Sequence, residues 1–184
     1  MVLDNKQKII ISPVDGCGLN YLEMISAGIE GVFGYQTAVN SFLDDFNFAF
    51  DEKREQYNST LIINKIDALS DSQGFKIIAL TEVDLFIPIL THVYGEAQLG
   101  GKACIVSLSR LSEDLGIDSR DQQLGERIVK EVYHELGHTF GLLHCKDRSC
   151  LMHYCRTIKD VDRKSHALCR YCKILLEDNK ARSK

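Results

Sequence analysis

The segment His134-Glu135-Leu136-Gly137-His138-Thr139-Phe140-Gly141-Leu142-Leu143-His144 gathers three imidazoles and a carboxylate into one short stretch. Residues four apart share a helix face, so His134 and His138 can present nitrogens to one metal with Glu135 beside them. A straight helix cannot bring a third ligand at the next offset round to the same ion. Gly141, free to adopt a left-handed conformation, can stop the helix and turn the chain so that His144 reaches. With 13 Gly and 6 His in 184 residues, meeting both extra requirements by chance runs at roughly one in 430 beyond the HExxH match itself. Three neutral histidines leave zinc its full charge and an open position, which is the donor set of a catalytic site. The chemistry expected there is hydrolysis by zinc-activated water, with Glu135 taking and returning the proton as general base.

Directly after the histidines come Cys145 and Cys150, and later Cys169 and Cys172. Four thiolates fill a tetrahedral zinc and leave no open position, so this second metal is expected to be structural. The alternative is a set of ordinary buried or free thiols, since the two pairs stand further apart than in most zinc ribbons. Two zinc ions, one catalytic and one structural, are therefore the expected cofactors. Cys17, Cys104 and Cys155 stand apart and read as small buried hydrophobes.

At 184 residues and 45% hydrophobic, the chain suits one soluble enzyme domain with a sizeable core. A net charge of -4 argues against a nucleic-acid binder. The first residues, Met1 to Lys8, mix an acidic residue with basic ones before a short apolar run, which is unlike a signal peptide. No apolar stretch approaches a membrane span, so a reduced, cytoplasmic protein without membrane or nucleic-acid partners is expected, and a monomer. The Asn58-Ser59-Thr60 sequon would go unused in that compartment.

The elements that must position these residues read as α/β. Strands are expected at Lys8 to Ser12, Tyr35 to Asn40 and Phe75 to Thr81, and helices at Asn20 to Gly34, capped by Asn20, and Ser59 to Leu69, burying Leu61, Ile62, Ile66 and Leu69. Tyr94 to Gln98 and Ala103 to Leu108 flank a glycine turn and suggest a hairpin whose edge lies open beside the zinc. The site helix begins near Ser119 or Arg120, with Leu124, Ile128, Val132 and Leu136 on its apolar stripe. A last helix from Asp162 to about Glu177 is expected to carry Cys169 and Cys172 on one side.

The extended histidine motif followed by Met152, together with Cys145, Cys150, Cys169 and Cys172, resembles the archaemetzincin branch of the metzincin metallopeptidases. Residues 81–86 and 94–101 are similar to stretches of that family too. The separation of Met152 from Cys169 is one residue shorter than in the family's pattern. What the resemblance implies is a single metzincin-like domain of mixed twisted sheet and helices, an upper part at 1–141 and a lower part at 142–184 flanking a zinc cleft. It also implies peptide-bond hydrolysis on peptide or protein substrates, and a hydrophobic floor under the histidines from the Met-turn residue Met152. Tyr154, two positions further on, matches a tyrosine that stabilises the transition state in astacin-like relatives, and is a candidate oxyanion donor weighed against a packed surface aromatic. The competing function is a zinc-stabilised peptide-binding protein with little or no hydrolysis, a reading that leaves Glu135 without a task.

Overall fold

The computed structural model describes residues 7–69, 76–115 and 120–182. Its centre is a five-stranded sheet built from β1 (Ile9–Pro13), β2 (Thr37–Val39), β5 (Lys76–Thr81), β7 (Gly95–Ala97) and β8 (Ala103–Ser107), in the order β2-β1-β5-β8-β7. The first four strands in that order run parallel and β7 alone runs antiparallel, so the sheet is mixed. Parallel strands covered on both faces are near-continuous apolar runs, and every residue of β1, β5 and β8 is buried, including the polar Ser12, Lys76, Thr81 and Ser107 at or near the strand ends. Alternation then sorts them. Ile9, Ile11, Ile78, Leu80, Cys104 and Val106 pack against α1 (Leu22–Phe33) and α3 (Arg120–Thr139), while Ile10, Ile77, Ala79, Ala103 and Ile105 pack against α2 (Ser59–Leu69).

Several sequence expectations shift here for packing reasons. Helix α2 has the expected limits, yet it buries Ile62, Ile63 and Ile66 and exposes Leu61 and Leu69. A single-turn 3-10 segment, Leu19–Tyr21, precedes α1, and Tyr21 rather than Asn20 takes the cap position without a side-chain bond. Gly34 closes α1 at φ 77°. A small sheet of β3 (Phe50–Asp51), β4 (Gln56–Asn58) and β6 (Leu85–Phe86) has no counterpart in the sequence reading. The expected final helix is two: α4 (Ile158–Arg163) and α5 (Arg170–Arg182), with Cys169 just before α5. Phe75 and Ser119 lie outside the described residues. Among the described residues no helix is long and apolar enough to cross a membrane.

Candidate metal centre and cleft

Helix α3 ends in a Schellman motif. Leu142 N–H donates to Gly137 O at 3.0 Å and Gly141 N–H to His138 O at 2.8 Å, with Gly141 at φ 81°. That left-handed residue is the turn anticipated from the sequence, and it brings His144 back over the helix. One ligand nitrogen from each of His134, His138 and His144 lies within 4.8 Å of the others. His134 Nδ1 is 2.9 Å from Leu151 O and His138 Nδ1 is 2.7 Å from Leu142 O. A carbonyl only accepts, so both rings carry their proton on Nδ1 and both Nε2 atoms are bare lone pairs. Yet those two Nε2 atoms stand 3.1 Å apart. Two lone pairs cannot bond each other; a cation between them resolves the repulsion, and tetrahedral zinc with bonds of about 2.05 Å sets ligand nitrogens about 3.3 Å apart.

Burial holds His134 well below the usual imidazole range, assisted by the Lys164 charge, and pushes His138 down to about 4. His144 is lowered by the same causes. All three are therefore neutral, the form that binds metal. Met152 is fully buried, its Sδ 2.5 Å from where a Cβ on Gly137 would stand, so it lies under the helix between the first two histidines. The Tyr154 ring is 4.9 Å from that of His144 and 40% exposed, at the cleft rather than packed away from it.

A second cluster gathers the sulfurs of Cys145, Cys150, Cys169 and Cys172 within 4.8 Å of one another. The Cys145 and Cys169 sulfurs are 3.8 Å apart, which is the edge of a zinc tetrahedron with bonds of about 2.3 Å. Cys169 N–H donates to Cys150 Sγ at 3.3 Å, a contact suited to thiolate. Cys169 caps α5, its carbonyl taking Lys173 N–H at 3.0 Å, and Cys172 sits in the first helical turn. The CxxC pair thus converges through a helix start and not along a helix face. Of the remaining thiols, Cys17 and Cys104 are buried as expected; Cys155 is half-buried and lines the histidine cleft, against the sequence reading.

The cleft has a volume of about 600 Å³ and is bordered by the edge strand β7. Ser107 N–H donates to Tyr94 O and Gln98 N–H to Ala103 O. The alternation of an antiparallel ladder therefore turns the N–H and C=O of Gly95 and Ala97 to the open side. Gly95 also faces Glu135: a Cβ there would lie 2.6 Å from Ile105 O and 2.7 Å from Glu135 Cγ. Burial holds the Glu135 carboxyl well above the usual carboxylate range; Glu131 and Glu96 add to this and Lys164 opposes it. Sequence reasoning missed Glu131, Lys164 and Gly95. Glu131, one helical turn before Glu135, was the only one with a local signal.

Residues 36–178 match the model of peptidase family M54. The chain belongs to that family. The M54 chain is 37% identical over 169 residues to an archaemetzincin of Halobacterium salinarum, covering 90% of this chain and 96% of the relative. The crystal structure of archaemetzincin from Methanopyrus kandleri superposes with a TM-score of 0.84 at 30% identity, covering 98% of this chain and 99% of that one. A zinc-dependent peptidase from Methanocorpusculum labreanum aligns with a TM-score of 0.78 at 27% identity, covering 91% and 99%. This M54 protein is a zinc metallopeptidase with an archaemetzincin fold. Gly95→Ala is expected to shift β7 and the Glu135 side chain together, since a Cβ there meets both the Ile105 backbone oxygen and Glu135 Cγ, lowering Tm as well as kcat, the latter about tenfold or more. Steady-state kinetics beside thermal melting checks this; unaltered kcat would show that the strand alone yields.

Proposed function

We propose that this M54 peptidase cleaves peptide bonds with zinc held by His134, His138 and His144, and that Glu135 is its general base. The observation that carries the reading is the pair of bare Nε2 atoms 3.1 Å apart at the floor of an open cleft. When bound, zinc supplies Lewis acidity and lowers the pKa of water. Everything else falls to the chain. A buried carboxyl with a raised pKa is suited to accept a proton from the attacking water and deliver it to the leaving amine. Gly95 and Ala97 on β7 offer main-chain groups to an extended peptide by strand addition. The Tyr154 ring lies 4.9 Å from that of His144, and its phenol serves in this proposal as the donor to the developing oxyanion.

Cys145, Cys150, Cys169 and Cys172 hold a second, structural zinc in the same proposal, supported by their sulfur spacing. Residues 1–141 and 142–184 act as the upper and lower halves of the cleft, with Met152 as floor. A reducing cytoplasm suits thiolate ligands, and a monomer acting on peptides or proteins is the simplest working form.

The test combines chelation with cleavage. A closed thiolate site is bound with folding energy, whereas three neutral imidazoles with an open position release zinc more readily. Mild chelator should thus remove one zinc first, abolish cleavage of a peptide library read by mass spectrometry, and leave circular dichroism intact. Cleavage that persists after loss of the first zinc would overturn the assignment of the two sites. The competing reading, a peptide binder without hydrolysis, would be upheld if the fully zinc-loaded protein bound library peptides and cleaved none.

A further inference from the structure

Beside the histidine cleft lies a second recess of about 410 Å³, lined by Arg148, His153, Tyr154, Arg156, Asp160 and Arg163. Tyr154 and Arg156 line both cavities, so the two adjoin across these side chains. In a chain of net charge -4, this recess sets three guanidiniums against one carboxylate. Asp160 is largely occupied: its Oδ2 accepts from Thr157 Oγ1, Thr157 N and Arg156 N, and its Oδ1 lies 3.8 Å from Arg163. Among the described residues, the guanidiniums of Arg148 and Arg156 meet no carboxylate; Arg156 lies only over the Tyr154 ring, at 5.8 Å.

The loops beneath are fixed. Arg148 falls between Cys145 and Cys150, whose sulfurs converge with those of Cys169 and Cys172. His153 Nδ1 donates to Cys145 O at 3.0 Å, tying the loop of Arg148 to the segment that carries Tyr154 and Arg156.

We infer that this recess is a subsite for an anionic group of the peptide substrate, a carboxylate that reaches past Tyr154 while the scissile bond lies at the histidines. Planar guanidiniums recognise carboxylates through paired N–H donors, and two without counter-ions gain such a partner without losing another. The inference rests on the peptidase reading for its substrate, though not for its charge chemistry. The carboxylate is either an Asp or Glu side chain or the free C-terminus.

The experiment uses the zinc-loaded enzyme and a neutral peptide that it cleaves. Glu is moved through successive positions beside Gln isosteres, each peptide being made as free acid and as amide. At one position, Glu is expected to lower KM about fivefold relative to Gln, or the free acid relative to the amide. Whichever of the two contrasts carries the effect identifies the source of the carboxylate. In Arg148→Gln/Arg156→Gln the ratio should fall to about one, and 0.5 M salt should shrink it in the parent. A purely structural loss would weaken both members of each pair alike and leave the ratio. Should no peptide be cleaved, the peptidase reading fails, and anisotropy of labelled Glu and Gln peptides on zinc-loaded Glu135→Gln protein tests the recess alone. An acid preference erased by the arginine substitutions supports the subsite by either readout; no preference, or one that survives them, overturns it.

Discussion

Glu135→Gln is expected to lower kcat for peptide cleavage about a thousandfold, within the roughly 10²–10⁴ that a positioned general base supplies, while zinc content stays at the parent's value. The substitution is isosteric and removes only the capacity to hold a proton. The amide side chain would still fit against Gly95, whose missing side chain makes room for it. Because burial disfavours the ionised carboxyl at this position, the neutral amide should fold at least as stably as the parent near neutral pH. The sign follows from linkage. A carboxyl whose folded pKa lies above its unfolded value weakens the fold as pH rises through the unfolded pKa, and an amide carries no such penalty. Kinetics, metal analysis and melting of the zinc-free protein together check the expectation. Cleavage at the parent's rate would remove Glu135 from the mechanism, and loss of zinc would make it a structural residue of the metal site.

The parts of this site that could be read from the sequence are those whose geometry is local. Helical spacing fixes His134 beside His138, and one glycine fixes the turn to His144; the Schellman bonds at Gly141 realise both. Strands β1, β5 and β8 were legible because burial on both faces gives near-continuous apolar runs. Helix α2 shows the limit of periodicity. Its apolar residues support two stripes, and only the sheet beneath decides that Ile63 is covered and Leu61 is not. Strands as short as β3 and β6 carry too few residues to signal at all. The CxxC pair was legible as chemistry and misread as structure, since Cys169 caps a helix that its own spacing cannot delimit. The charges around the cleft were missed for a different reason. Lys164 meets Glu131 from a distant part of the sequence, and Arg148 and Arg156 share a recess only because the cysteine loop folds back.

That long-range pair carries the second large effect. Lys164 Nζ lies 2.6 Å from Glu131 Oε1, with Lys164 wholly buried and Glu131 nearly so. The two form an ion pair off the axis of a regular hydrogen bond, with the Cys155 thiol also against Lys164, so their mutual attraction is the main offset to two desolvated charges. Arg127, bonded to Asp162 at 2.7 and 2.8 Å, and Lys130, donating to the carbonyls of Val161 and Asp162, hold α4 against α3 at the same level. This clamp keeps α4 packed over Glu131 when the Lys164 charge is removed. Lys164→Met therefore leaves Glu131 as an uncompensated buried carboxylate, at a cost of about 3–5 kcal/mol, or roughly 10 °C in Tm for a chain of this size. Removing both charges, as Glu131→Gln/Lys164→Met, should restore most of that loss, since well-packed neutral replacements of a buried pair are often tolerated. The single substitution should also reach the metal. After burial, the Lys164 cation is the next cause that holds His134 low, and it depresses His138 and His144 as well. Without it the imidazoles bind protons more readily, so zinc should be released at a higher pH on acidification than in the parent. Melting curves of the single and double variants, with zinc retention followed by acid titration, measure both parts. A single variant as stable as the parent would mean that water or a shift of α4 solvates Glu131 on demand, and that the pair does not hold the lower half of the cleft.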